Sequence, residues 1–204
     1  MSKLKHLRVL SFHSFKGLDT LPDSIGELTF LRYLDLSETS IRILLKSFNL
    51  FERNAKGNEQ IEELHILNLF PVGKQEDNGI KELGRLLNLH GSLEIKKLEN
   101  VVDVKDARSA RIIEKKHLEQ LALEWSSGDD MVSNTQTERD ILDSLQPHTT
   151  LKVVEDCPKL ENMAGEKLPS SLLQLQIKKC PLLAEHCKKK HEQIWPKISY
   201  IPTI

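Results

Sequence analysis

Leu4, Leu7, Leu10 and Phe12 return twenty-four residues later as Leu28, Leu31, Leu34 and Leu36. The shared frame, L-x-x-L-x-x-L-x-L, constrains the fold more than any other feature of this chain. A unit of that kind presents an apolar edge that it cannot bury by itself, so copies must stack on one another. Stacked copies make an elongated array with a long exposed surface, an architecture suited to binding. Within the frame, Leu34-Asp35-Leu36 alternates with period two, which predicts a short strand with both leucines inward and Asp35 outward.

This frame is that of a leucine-rich repeat. Leu28 and Leu31 fill the interior of the turn before the strand, and Thr39 sits where such repeats favour Asn, Cys or Thr, a side chain able to satisfy backbone groups in the bend. Pro22 breaks regular structure on the return, from which Ile25 and Leu28 reach inward. Ile61, Leu64, Leu67 and Leu69 repeat the frame. Leu93 with Ile95, and Leu121 with Leu123, supply further inner pairs, and Leu172, Leu175, Ile177 and Cys180 form a cysteine-type unit. The expected fold is an α/β solenoid: a leucine-rich-repeat horseshoe, with short parallel strands on the concave face and irregular turns or helices on the convex face.

At 204 residues the chain accommodates one ordinary core or about seven stacked repeats. Only 5% of residues are aromatic, so the core rests on leucine and isoleucine. A net charge of −1 favours neither nucleic acid nor an anionic membrane as the bulk partner. No segment approaches the ~20 apolar residues of a membrane span, and the first residues lack the apolar core of a secretion signal. Cys157, Cys180 and Cys187 are odd in number, two of them at repeat positions, and no N-x-S/T sequon occurs. These features point to a cytoplasmic protein, with the nucleus as the other compartment.

Residues 1–45 form regular repeats. Residues 46–60 break the rhythm as a loop or deleted repeat, residues 61–150 are divergent repeats with helical insertions, and residues 151–204 hold cysteine-type repeats and a closing segment. Pro71 to Asn78 is expected to be a polar connection. A convex helix is expected to open at Asp103–Asp106, with Asp106 as its cap and Ala107, Ala110 and Ile113 on one face. A loop from Ser126 leads to Thr135-x-x-Glu138, a capping-box pattern before Ile141, Leu142 and Leu145, and Pro147 ends that helix. Near residue 150 the apolar pattern conflicts with itself. Aligning Cys157 on Cys180 puts Lys152 at the position of Leu175 and Thr149 at that of Leu172, whereas Leu151 and Val153 lie one residue off. A one-residue slip inverts a strand's faces, so the seam looks like a site of deletion.

The stretch from Leu28 to Ile41 resembles the first repeats of plant intracellular coiled-coil nucleotide-binding leucine-rich-repeat disease-resistance proteins. The block Phe70–Leu86, followed by Leu89–Ile95 and Leu98–Val101, looks like one peculiar to that family. Leu121–Trp125 and Leu145–His148 are similar to its continuation. Cys180–Leu183 and Trp195–Pro202 resemble its closing segment. The resemblance covers most of the chain and implies a protein-interaction module. Its partners would be a protein ligand (a pathogen effector or a guarded host protein) and a nucleotide-binding switch domain that it restrains. Neither the coiled coil nor the switch is present, and no G-x-x-x-x-G-K-[ST] loop occurs to cradle phosphates. The chain therefore reads as the repeat region alone, internally shortened.

If the concave face binds, its residues are the outward ones beside each strand: Arg8, Ser11 and His13; Arg32, Tyr33, Asp35 and Ser37; Ser92, Glu94 and Lys96; Glu119, Gln120, Glu124 and Trp125; and Gln174, Gln176 and Lys178. Arg, Tyr and Trp are the types that anchor interfaces. Each of these positions is equally at home as a solvated repeat position, and Trp125 as a core tryptophan. His186, Cys187 and His191 have metal-ligand chemistry, but only Cys187 and His191 would share a helical face and no second pair lies near, so no metal is expected. Lys188–Lys190 is a short charge run of the kind that is ordinarily solvated, and Cys157 and Cys180 suit buried structural positions. No nucleophile motif frames the Ser, His and Asp residues, so neither catalysis nor a cofactor is expected. A generic intracellular scaffold or adaptor, or a truncated product that does not signal, is the alternative reading. No docking segment of the F-box kind is visible to favour an adaptor.

Overall fold

The computed structural model describes residues 4, 6–22, 24–25, 28, 30–41, 64–74, 79–125, 135–145, 151–157, 160, 172–192 and 194–204. The irregular stretch 46–60, Ile61, loop residues 126–134, Pro147 and Thr149 lie outside them.

Each leucine frame produces one short strand, and every strand pairs in parallel with the next. β1 (Val9–Ser11), β2 (Tyr33–Asp35) and β3 (Ile66–Leu67) form one sheet in that order. β4 (Leu69–Pro71), β5 (His90–Lys96), β6 (His117–Glu124), β7 (Leu151–Glu155) and β8 (Gln174–Lys178) form a second. Frame leucines meet frame leucines across the ladder, Leu10 beside Leu34 and Leu34 beside Leu67, because only that register keeps every apolar side chain on the inner face. The result is the expected α/β leucine-rich-repeat solenoid. Its core is a continuous row of leucine, isoleucine and cysteine running from Leu21 to Ile201.

The two sheets part at Asn68. Beyond it, Leu69 lies opposite Glu94 and Phe70 opposite Ile95, so the next repeat joins one residue out of step. Pro71 closes β4, and Val72 behind it is buried, so the expected polar connection starts later than Pro71.

After each of five strands the chain turns through a left-handed residue: Ser14, Glu38, Lys97, Asp156 and Lys179, all with φ between 50° and 60°. None is glycine, and the turns at Lys97, Asp156 and Lys179 drop the following residue into the interior, whereas Phe15 after Ser14 stays 57% exposed. Thr39, after Glu38, donates from its hydroxyl to the Leu36 carbonyl at 2.7 Å, and Cys157 and Cys180 are 0% and 2% exposed. The cysteines satisfy the bend in the same way, Cys180 Sγ donating to the Lys178 carbonyl at 3.1 Å and accepting from the Cys157 amide at 3.3 Å.

On the convex side, α1 (Val104–Ser109) is capped by Asp103, whose carboxylate accepts from the Lys105 amide at 2.8 Å. The expected cap, Asp106, lies in the first turn instead, where a carboxylate still favours the helix dipole. Ala107 and Ala110 are buried as expected, but Ile113 is 53% exposed. Left-handed Arg111 ends the helical period, and Ile112 takes the inner position. A 3-10 turn at Ile80–Arg85 packs so closely on α1 that a Cβ on Gly84 would lie 2.1 Å from the Ser109 carbonyl oxygen. Fully buried Lys115 ties that turn down, its ammonium donating to the carbonyls of Leu83 at 2.6 Å and Leu86 at 2.8 Å. α2 (Thr135–Ser144) begins at the predicted threonine and buries Ile141 and Leu142.

At the seam, β7 takes the register set by the cysteines. Lys152 pairs with Leu175 and Val154 with Ile177, so Lys152 is fully buried and Val153 points the other way, beside Gln176. The strand does not slip by one residue, because that would turn Val154 out and withdraw Cys157 from the bend beside Cys180; Val153 is 8% exposed in the register adopted. Burial depresses the Lys152 ammonium to about 8, and the Asp143 carboxylate opposes the shift. Beyond β8, Thr203 forms a parallel bridge to Gln174, and its carbonyl accepts from the Leu175 amide at 2.9 Å. α3 (Pro181–Lys188) and α4 (Trp195–Ile198) bury Leu183 and Ile198 at that end.

Candidate concave interaction face

Parallel register aligns the outward side chains of successive repeats into rows. In the longer sheet Gln120 and Gln174 lie in one row, Ala122, Val153 and Gln176 in a second, and Glu124, Glu155 and Lys178 in a third. In the shorter sheet Val9, Tyr33 and Ile66 are neighbours, as are Ser11 and Asp35. The expected residues Arg8, Ser11, His13, Ser92, Glu119, Gln120 and Lys178 are exposed, and Arg32, Tyr33, Ser37, Glu94, Lys96, Glu124, Gln174 and Gln176 are half-buried.

Two of the expected residues are not open. Trp125 is 3% exposed: it follows β6, its amide donates to the Glu155 carbonyl at 3.1 Å, and its ring joins the core. Asp35 is 9% exposed and engaged, Oδ1 accepting from the Ser37 amide at 2.9 Å and the Ser37 hydroxyl at 2.5 Å, Oδ2 from the Ser11 hydroxyl at 3.3 Å. Burial alone would raise its pKa, but the Ser37 contacts, nearby His13 and Ser11 together hold the carboxyl below its ordinary value. Nδ1 of His13 lies 2.8 Å from the Ser37 hydroxyl. Serine thus sits between histidine and aspartate. A hydrolytic triad requires histidine in the middle to take the serine proton, whereas here that proton is directed at Asp35. The cluster stiffens the face and activates no nucleophile.

Further along, Lys96 bridges Glu94 at 3.2 Å and Glu124 at 3.1 Å, and Ser92 donates to Gln120 at 3.2 Å. Desolvation works against the Lys96 charge, yet the two carboxylates hold its pKa above the ordinary value. The polar groups of the face therefore lock successive repeats together.

Some face residues were not anticipated. Val9 is 61% exposed beside Tyr33, and half-buried Ala122 lies beside Val153, which is 8% exposed. Val9 shares the offset of Tyr33 within its frame, so the repeat could have found it; an apolar type at an outward position concealed it. His65, at the offset of Arg32, and His90 and His117 were missed for want of an assigned register.

The other constellations resolve locally. His191 lies past the end of α3 and stacks on His186 with ring centroids 4.7 Å apart, so it does not share a helical face with Cys187. Cys187 is 8% exposed, and burial pushes its thiol up to about 11. Among the described residues no group of three or more His, Cys, Asp or Glu side chains converges as metal ligands. Lys189 pairs with Glu185 at 2.5 Å, and Lys190 lies 4.9 Å from the centroid of the Trp195 ring. No described helix is long and apolar enough to cross a membrane.

The R13L1/DRL21 LRRs family matches residues 80–199, the part of the chain that carries β5 to β8 and α1 to α4. The chain belongs to that family. It is also 32% identical over 83% of its length to putative disease resistance RPP13-like protein 1 of Arabidopsis thaliana, and 29% identical over 87% to putative disease resistance protein RGA1 of Solanum bulbocastanum. Disease resistance protein RGA2 of Solanum bulbocastanum is 33% identical over 52% of the chain. The chain spans 20% and 21% of the length of the first two. It is a leucine-rich-repeat region of the plant disease-resistance kind.

Proposed function

We propose that this repeat region is the ligand-reading module of a plant immune receptor. Its concave face receives a protein, either a pathogen effector or a guarded host protein, and its repeats contact and restrain a nucleotide-binding switch domain in the cytoplasm. The observation that carries this reading is the second row of the face: half-buried Ala122 and Gln176 flank Val153, which is 8% exposed, between rows that begin with Gln120 and Glu124. An apolar centre with a polar rim is the anatomy of a protein interface. The disease-resistance relatives supply the setting.

The test is suppression in trans. The switch region of RPP13-like protein 1, made autoactive, is expressed in leaf with the chain or with its Ala122→Arg/Gln176→Arg variant. We expect the chain to suppress cell death and the variant to lose suppression at equal protein level. Equal suppression by both, or by neither, would overturn the proposal.

A further inference from the structure

One edge of the face carries a column of arginine and histidine side chains. Arg8, Arg32, His65 and His90 follow one another at the entrance to successive strands. The Arg32 amide donates to the Arg8 carbonyl at 2.9 Å, His65 to Arg32 at 2.9 Å, and His90 to His65 at 2.7 Å. His117 is the register partner of His90 in the next strand. Five strands, β1, β2, β3, β5 and β6, thus carry arginine or histidine at or beside one end, although the chain as a whole is at −1. The imidazoles touch: His65 and His90 meet edge to face at 5.7 Å, and His90 stacks on His117 at 4.5 Å with an 8° tilt.

We propose that this column is the docking rim for an acidic segment of the protein ligand, and that protonation of its histidines tightens the contact. The inference deepens the proposed function, because it names the charge of the partner at that same face. Parallel strands repeat every ~4.8 Å, so the column offers closely spaced donors along the solenoid, a match for an extended run of aspartate or glutamate. With neutral imidazoles, only Arg8 and Arg32 carry full charge. Stacked imidazoles tolerate neutrality and resist joint protonation. Desolvation, then the neighbouring His117 and His65, lowers the pKa of His90, and Glu119 opposes them. A bound row of carboxylates would reverse that balance. Binding would take up protons, so affinity would rise as pH falls through the histidine range.

The probe is fluorescein-labelled poly-aspartate of about twenty residues, whose carboxylates stay charged at about pH 5.5. Anisotropy of the 204-residue chain is expected to show about tenfold tighter binding at about pH 5.5 than at about pH 7.5. His65→Gln/His90→Gln/His117→Gln should abolish the pH dependence, and Arg8→Gln/Arg32→Gln should weaken binding at both pH values. Proton NMR of the unaltered chain supplies a readout free of any folding defect: poly-aspartate should raise the titration midpoints of these three imidazoles. Affinity independent of pH, midpoints that stay put, or binding of inorganic polyphosphate without poly-aspartate would each overturn the inference. If it fails while Ala122→Arg/Gln176→Arg still loses suppression, the rim alone is wrong. If poly-aspartate binds as expected but suppression is absent, the receptor reading is the one that falls.

Discussion

Lys115 and Lys152 have the same accessibility and, with pKa values of about 8, the same depressed charge, yet they differ in what they touch. Lys115 donates to two backbone carbonyls at 2.6 and 2.8 Å. Its replacement by Met strands those acceptors, and we expect a loss of about 2 kcal/mol in urea unfolding. Lys152 stands where the repeat places leucine, with the charge of Asp143 as the counterweight. A buried charge pair exchanged for neutral side chains is often stabilising, whereas removal of one partner strands the other, so Lys152→Leu/Asp143→Asn should gain about 2 kcal/mol over Lys152→Leu alone. The pH dependence has a definite sign. Both folded-state values lie below the ordinary 10.5, so the unfolded chain binds more protons between about pH 8 and about pH 10.5, and stability rises with pH through that window. Urea midpoints at about pH 7.5 and about pH 9.5 measure it, and Lys152→Leu should reduce the slope. At this scale the sequence exposed the conflict at Lys152, but not the two carbonyls that hold Lys115, which come from a segment some thirty residues earlier.

Among the elements, α1 and the 3-10 turn at Ile80–Arg85 are the convex pieces closest to each other. The turn fits only because Gly84 has no Cβ, one of which would stand 2.1 Å from the backbone oxygen of Ser109. Gly84→Ala should therefore cost about 2 kcal/mol or more, since a backbone atom cannot move aside as a flexible side-chain end can. Asp103→Ala should cost about 1 kcal/mol through loss of the cap, and Asp106→Ala clearly less, read from thermal melts. The identities of α1, α2 and the inner leucine strands were legible from the 3.6 and 2.0 periods, whereas α3 and α4 were read only as a closing segment. The boundary at Arg111 was not: a left-handed arginine carries no compositional mark, and it alone decides that Ile112 turns in and Ile113 out.

For the whole molecule the two ends of the sheet differ. β8 is covered, because Thr203 pairs with Gln174 and α3 packs behind it. β1 pairs on one side with β2, and around it Leu4 is 48% exposed, Val9 61% and Phe15 57%. Exposed apolar side chains beside a strand offer such an edge to another chain. We expect the 204-residue chain to self-associate, with a melt that depends on concentration. Val9→Lys should shift the sedimentation profile toward monomer. A sharp monomeric melt, independent of concentration, would count against this expectation. The exposure of Val9 and Phe15 was not legible in the sequence, since apolar types at those positions read as core. Nor was the closure by Thr203, since Pro202-Thr203 carries no strand pattern.

Leucine spacing by itself determined that this chain would stack parallel strands, which side chains of each strand would turn inward, and that its outward residues would form a face. It could do so because burial of a period-two strand within a fixed frame is a local matter. Tertiary structure alone decided how neighbouring repeats meet: the step at Asn68, the cysteine register that buries Lys152, the removal of Trp125 from the face, and the rim that gathers Arg8, Arg32, His65, His90 and His117. Those features depend on register between segments about 23 to 33 residues apart, which the hydrogen bonds of neighbouring strands set and no single repeat contains.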